Sequence, residues 1–363
     1  MNSLEELERI ADEGWPFTTW SLDDFEEWQP PENTGILENG FGDTLIDDGA
    51  DAAVVGPPGV GKSRLALQLA LSQITSQPWG GLPTKWPPRK WLYVGNENSV
   101  RRQKADLCAM AKSLTPATRI LVAENLFLHV QQERDDHAIS MAESANKWRL
   151  TIENLRPDCI IVDPFEALLE NGDANDSADV RRSMNQLGSM LREVSPGGVV
   201  IYVHHARTGA IAAAGALGLD GNNYAKGSKT FTGIVRTQIN VCPASLDDPS
   251  RVAITCGKAN DCRPFETSGL VLDNDTRSYK SDPDFDAEDL AAILQGKDPP
   301  VKVSYDEIRA LINAGTNRFN DIATQIRNGS GAKAEAVRRK LNAGVREGVF
   351  NQALGIYSLG SGL

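Results

Sequence analysis

The segment Gly56-Pro57-Pro58-Gly59-Val60-Gly61-Lys62-Ser63 fits the pattern G-x-x-x-x-G-K-[ST], and no other feature of the chain constrains its fold as much. The pattern has meaning only between a strand and a helix. Its glycines let successive backbone N–H groups turn inward around a phosphate, and the following helix presents its positive dipole end to the same point. Both neighbours are present: DAAVVG (51–56) reads as an apolar strand and SRLALQLALSQI (63–74) as a helix. In that frame Lys62 reaches the β- and γ-phosphates of a nucleoside triphosphate, Ser63 offers a ligand to Mg2+, and Arg64 follows at the helix start. ATP with Mg2+ is the expected ligand pair.

Short runs rich in β-branched residues then alternate with helical patterns: KWLYVG (90–95), DCIIVD (158–163), GVVIYVHH (198–205), TQINVC (237–242) and RVAITC (251–256). Several are apolar almost throughout, as strands covered on both faces of a parallel sheet must be. After DCIIVD, Val180, Met184, Leu187, Leu191 and Val194 fall on one helical stripe, with Arg181, Arg182 and Arg192 elsewhere. The alternation predicts a doubly wound α/β core, its last strands forming an antiparallel extension at the sheet edge.

Asp163 ends DCIIVD, where an acidic residue can hold the Mg2+ shell. Glu97 ends KWLYVGNE, a strand expected beside that of the phosphate loop, so its carboxylate can orient an attacking water. A base there, rather than directly after Asp163 where Pro164 and Phe165 stand, is the mark of a RecA-like core. The same carboxylate can also be a solvated strand-end charge. The run GVVIYVHH ends in His204-His205; adjacent strand residues face opposite ways, so at most one faces the nucleotide, and His205 is the expected sensor.

Charge divides the chain. The net charge is −12, but residues 1–50 hold fourteen Asp/Glu against Arg9 alone, while residues 301–363 hold nine Lys/Arg against five Asp/Glu. The expected plan is an acidic lead-in (1–50), an α/β core (51–280), an acidic linker (281–300) and a basic tail (301–363). In the tail, Ser304 and Glu307 form a capping-box pair that opens a helix. Two more helical patterns follow, then GVREGVFNQALGIYSL as a hairpin. This is the order of a winged helix-turn-helix, with Lys333, Arg338 and Arg339 on its third helix able to meet duplex DNA phosphates. The same architecture also docks proteins. The five cysteines form no CxxC pair, which argues against a zinc site or disulfide framework and fits a reducing cytoplasm. No apolar run reaches the ~18 residues of a membrane span, so no membrane partner is expected.

The segments VGPPGVGKS, YVGNENS, IVDPF, VIYVHHART, KGSKTFTGIVRTQ and TCGKAND stand in the order and spacing of the RepA-type hexameric replicative helicases. The chain resembles that family over residues 35–275. The resemblance implies a RecA-like P-loop NTPase core, ATP hydrolysis, and a homo-oligomeric ring, a hexamer, with each nucleotide between neighbours. It makes Arg236, in GIVRTQ, similar to an arginine finger reaching the adjacent site, and Lys258, in GKAN, similar to a second basic residue near the γ-phosphate. A cation supplied by a neighbour stabilises transition-state charge and makes hydrolysis depend on assembly. Either residue can instead end a strand in solvent. The small-residue-rich stretch 207–230 resembles loops that line the ring channel and touch single-stranded DNA, with Lys226 and Lys229 as phosphate contacts. The acidic lead-in and basic tail depart from that family's minimal plan. Three readings follow: a ring-forming DNA motor of a mobile element, a RecA-like DNA-binding ATPase that acts without unwinding, and a nucleotide-gated binding module with slow hydrolysis.

Overall fold

The computed structural model describes residues 21–27, 29, 34–129, 139–207, 224–245, 247–294, 303–332, 334–353 and 355–360. The chain divides into two units, 1–34 and 35–363. In the first, helix α1 (Leu22–Glu27) is opened by Ser21, whose hydroxyl accepts from the backbone N–H of Asp24.

The second unit begins with a hairpin, β1 (Leu37–Glu38) and β2 (Thr44–Ile46). The core then runs β3 (Ala52–Gly56), α2 (Lys62–Thr75), β4 (Trp91–Gly95), α3 (Val100–Met110), α4 (Pro116–Asn125), β5 (Leu126–His129), α5 (Met141–Leu155) and β6 (Cys159–Asp163). It continues α6 (Ser177–Val194), β7 (Val199–His205), α7 (Lys229–Ile234), β8 (Thr237–Pro243), β9 (Arg251–Ala259), β10 (Ser268–Leu272), β11 (Tyr279–Ser281) and α8 (Ala287–Leu294). One nine-stranded sheet has the order β11-β10-β9-β8-β3-β7-β6-β4-β5. Strands β8 through β5 in that order are parallel; β9, β10 and β11 extend the sheet antiparallel.

Successive strand residues alternate between two apolar layers, as the pleat requires. Val54, Tyr93, Ile161, Ile201 and Val203 join Leu65, Leu69 and Ile74 of α2 on one face. Val55, Leu92, Ile160, Val200 and Tyr202 join Trp148 and Ile152 of α5 and Val180, Met184, Leu187 and Leu191 of α6 on the other. Strands β3, β4 and β6 are buried at every residue, which is why their sequences lack polar alternation. A mostly parallel sheet covered by helices on both faces, with the phosphate-loop strand in its middle, is a RecA-like P-loop core.

The structure corrects three expectations. Strand β4 does not lie beside β3; β6 and β7 stand between them, because the chain skips two places after α2 and later strands fill them. Residues 35–50 are not lead-in: Ile36, Leu37, Leu45 and Ile46 are buried in the first apolar layer. The segment 281–300 is not simply a linker, since α8 falls within it, Leu290 is buried in the second layer and Phe285 packs against that layer. An Arg251–Asp282 ion pair, Nε to Oδ2 at 2.7 Å, ties its start to β9.

The tail folds as α9 (Tyr305–Asn313), α10 (Phe319–Ser330), α11 (Ala334–Arg346), β12 (Phe350–Ala353) and β13 (Ile356–Leu359). Ser304 and Glu307 form the full capping box at α9. Ile308, Ile322, Ile326, Val337, Leu341, Phe350 and Tyr357 make a separate apolar cluster. No helix among the described residues is long and apolar enough to cross a membrane.

If α8 is part of the core, Leu290→Ala should destabilise the chain by about 2–4 kcal/mol, the usual loss for a buried leucine. Urea unfolding measures this, and a change below about 0.5 kcal/mol would return the segment to linker status.

Candidate functional site

Strand β3 delivers the chain to the phosphate loop at the sheet edge where the parallel strands end. Gly61 adopts φ +98° as the N-cap of α2, a left-handed conformation that favours glycine. A Cβ there would also lie 2.0 Å from the Tyr279 hydroxyl oxygen. Tyr279 donates to the Val60 carbonyl at 3.4 Å, and its backbone exchanges two hydrogen bonds with the Gln68 side chain of α2. The far-edge strand β11 thus closes one wall of the loop. Sequence reading missed Tyr279, which stands alone in a polar stretch.

Lys62 is buried, and its Nζ donates to the Pro57 carbonyl at 3.0 Å. Burial pushes its ammonium pKa down, against the pull of Asp163, Glu97 and Glu166. Asp163 is buried at the end of β6, and the Tyr93 hydroxyl donates to its Oδ2. Burial raises the Asp163 pKa, which hydrogen bonds from Ser63 and Tyr93 oppose. Oδ1 makes no hydrogen bond of good geometry. A buried carboxylate oxygen of this kind beside a serine hydroxyl suits a hard divalent cation with oxygen ligands. Arg64 turns elsewhere: its Nε meets Asp106 Oδ2 at 3.1 Å, and Arg277 takes the other oxygen at 2.9 Å. That places it on α3 rather than on the phosphate loop.

Although β4 is two strands from β3, Glu97 remains close to the loop. Strand β4 pairs with β6 in the register Gly95 to Asp163, and the Asn96 N–H donates to the Asp163 carbonyl at 3.2 Å. Glu97 is exposed just beyond, near enough to bear on both Lys62 and Asp163. Glu166 is the second acid. Burial works against its charge, but His204, together with a backbone hydrogen bond and His205, holds its pKa below the ordinary value.

The two histidines separate as strand alternation demands. His204 is fully buried; Nδ1 lies 3.1 Å from Glu166 Oε1 and Nε2 lies 2.6 Å from the Lys226 carbonyl. Its ring packs between Phe165 and Phe231. His205 shares the parity of Ile201 and Val203, on the α2 face, and is level with Gly56. Beyond it, Arg207 binds the Ala225 and Gly227 carbonyls and the Lys226 N–H donates to the His205 carbonyl, closing the base of the stretch 207–230. Residues 208–223 lie outside the described residues. Lys226 and Lys229 are exposed on either side of the α7 N-cap, Ser228.

Arg236 lies at the opposite sheet edge. Its N–H donates to the Asp51 carbonyl at 2.8 Å, before β3 begins, and five strand residues separate that level from the loop, roughly 17 Å. Its guanidinium makes a two-pronged pair with Asp261, Nε to Oδ2 at 3.1 Å. Lys258 is nearby but differently employed. Its Nζ donates to the Thr232 and Val235 carbonyls at 2.6 and 2.7 Å, capping the C-terminus of α7. The expected second basic residue is therefore tied to its own chain, because those carbonyls have no helical N–H to meet them.

In the tail, the Arg338 guanidinium stacks 4.6 Å over Phe319 and the Lys340 ammonium sits 3.8 Å over Tyr305. Lys333 and the Arg339 side chain lie outside the described residues.

A family profile described as "AAA domain" matches residues 11–210. The chain belongs to the AAA domain family. No curated protein matches it. Solved structures similar to this AAA domain chain include the RadB recombinase, at 15% identity and TM-score 0.43, covering 65% of this chain and 91% of that one. Another is a KaiC-like protein from the hyperthermophilic archaeon Pyrococcus horikoshii OT3, at 13% identity and TM-score 0.46, covering 69% and 100%.

As a helix cap, Lys258 contributes stability of its own. Lys258→Ala should lower the unfolding free energy by about 1–2 kcal/mol, since two carbonyls lose a charged donor. An unchanged denaturation midpoint would count against the capping role.

Proposed function

We propose that this AAA domain chain is a Mg2+-dependent ATP hydrolase that works as a ring-forming, RepA-like DNA motor, each site completed by Arg236 of a neighbouring copy. The observation that carries the reading is the placement of Arg236 at the sheet edge away from its own phosphate loop. From there it cannot complete its own site, which leaves a neighbouring copy's site as the one it would serve. Head-to-tail contacts of this kind close into rings when the rotation allows.

Within the site, residues Gly56 to Ser63 form the nucleotide loop, with Lys62 as the phosphate-binding cation, while Arg64 is held by Asp106. Ser63 and Asp163 would hold Mg2+, which when bound neutralises charge on the phosphate oxygens. Glu97 is the proposed base: it is exposed at the mouth, while Glu166 is engaged by His204. His205, on the α2 face beside Gly56, is the proposed sensor of the phosphate. The exposed Lys226 and Lys229 support single-stranded DNA contact in the ring channel. Duplex contact through the helical tail would rest on Arg338, Lys333 and Arg339, with Arg338 presented over Phe319.

Glu97→Gln should keep ATP binding and lose turnover by roughly 10²-fold or more, the usual contribution of general base catalysis. A small loss there with a large one in Glu166→Gln would move the base to Glu166.

The shared site has its own test. Arg236→Ala and Lys62→Ala should each hydrolyse ATP poorly, yet a mixture should recover part of the activity once subunit exchange has been verified. Mixed assemblies contain interfaces where an intact loop meets an intact finger, and neither parent has one. Rates that stay flat across all mixing ratios would exclude a site shared between chains.

A further inference from the structure

Tyr93 looks like one more core residue in the apolar run WLYVG, and it is buried on the α2 face of β4. Its hydroxyl is directed along the strand instead of into the apolar layer. It donates to Oδ2 of Asp163, at the end of the neighbouring strand β6. The path is cleared by Gly95, two residues on and therefore on the same face. A Cβ on Gly95 would stand 2.9 Å from Tyr93 Cε1 and 3.0 Å from the Asp163 carbonyl oxygen. The ring thus lies over the one residue of β4 that has no side chain, and the register Gly95 to Asp163 brings its hydroxyl to the carboxylate.

A carboxylate has two oxygens, and here they are treated differently. Oδ2 receives the phenol, whereas Oδ1 is buried and makes no hydrogen bond of good geometry. A fixed donor on one oxygen sets the torsion of the side chain and so the direction of the other. Outer partners of this kind orient metal ligands and are felt in metal affinity.

We propose that Tyr93 is a positioning residue for the metal site, holding Asp163 by Oδ2 so that Oδ1 is presented, with the Ser63 hydroxyl, to Mg2+. The inference rests on reading Ser63 and Asp163 as the Mg2+ ligands. Without the phenol, Oδ2 loses its fixed donor at a buried position, and the carboxylate is free to rotate. That rotation takes Oδ1 out of line.

Tyr93→Phe keeps the ring and its packing and removes only the hydroxyl. The direct readout is Mn2+ titrated into the full chain with a non-hydrolysable ATP analogue and followed by electron paramagnetic resonance. Mn2+ affinity should fall about tenfold or more, while analogue affinity measured in EDTA stays at the wild-type value. Gly95→Ala, which displaces the ring, should shift Mn2+ affinity in the same direction. Wild-type Mn2+ binding matched by Tyr93→Phe would overturn the role. So would an equal loss of analogue affinity with and without metal, because that is general distortion of the site. A wild-type chain that binds no Mn2+ beside the analogue would overturn the metal site itself, and this role with it.

Discussion

Two opposite charges, Lys62 and Asp163, are buried at the end of a sheet that is covered on both faces, and the surrounding structure is arranged around them. Taking an ion out of water costs several kcal/mol unless partners replace the lost hydration. The chain provides some of those partners: the Pro57 carbonyl for Lys62, and the Tyr93 hydroxyl for one oxygen of Asp163. It does not provide all of them. Burial still pulls the ammonium pKa down and the carboxylate pKa up. An anion that meets Lys62 and a cation that meets Asp163 would finish the solvation of both groups together. Phosphate oxygens with Mg2+ would be that combination under the proposed function, with the same few residues meeting both halves of the ligand.

What the sequence made legible is what depends on neighbouring residues. The glycine spacing before Lys62, the all-apolar runs of β3, β4 and β6, the α6 stripe and the Ser304–Glu307 cap are local patterns, and each appears where the residues indicate. Strand order is not local. Nothing within KWLYVG reveals that β6 and β7 will fill the places between β4 and β3. Strand β5 escaped notice because LFLH is four residues long and follows α4 without a breaker. The hairpin at 37–46 and helix α8 were hidden by composition: acidic residues surround Ile36, Leu45 and Leu290, yet a few apolar side chains are enough to anchor a short element. At the site, side-chain direction was the missing quantity. Tyr93 in an apolar strand and Lys258 in a motif both carry polar ends, and only the fold decides what those ends meet.

Because the central strands are parallel, the sheet has two unlike edges. One holds Lys62, Glu97, Asp163 and Glu166; the other holds Arg236, Lys258 and Asp261. The chain passes from the first to the second through residues 224–236, and bonds hold this segment along its length. The Lys226 N–H and carbonyl meet His205 and His204, Ser228 caps α7, Lys258 closes its other end, and the Arg236 N–H binds Asp51. The level of Arg236 is therefore set by the packed core. Its guanidinium is held differently. Its two-pronged pair with Asp261 lies at the surface, where solvent screens it, and a polyphosphate would carry more charge than that carboxylate. Rigid placement of the backbone with a side chain held only by a surface pair is the combination that the proposed finger role would require.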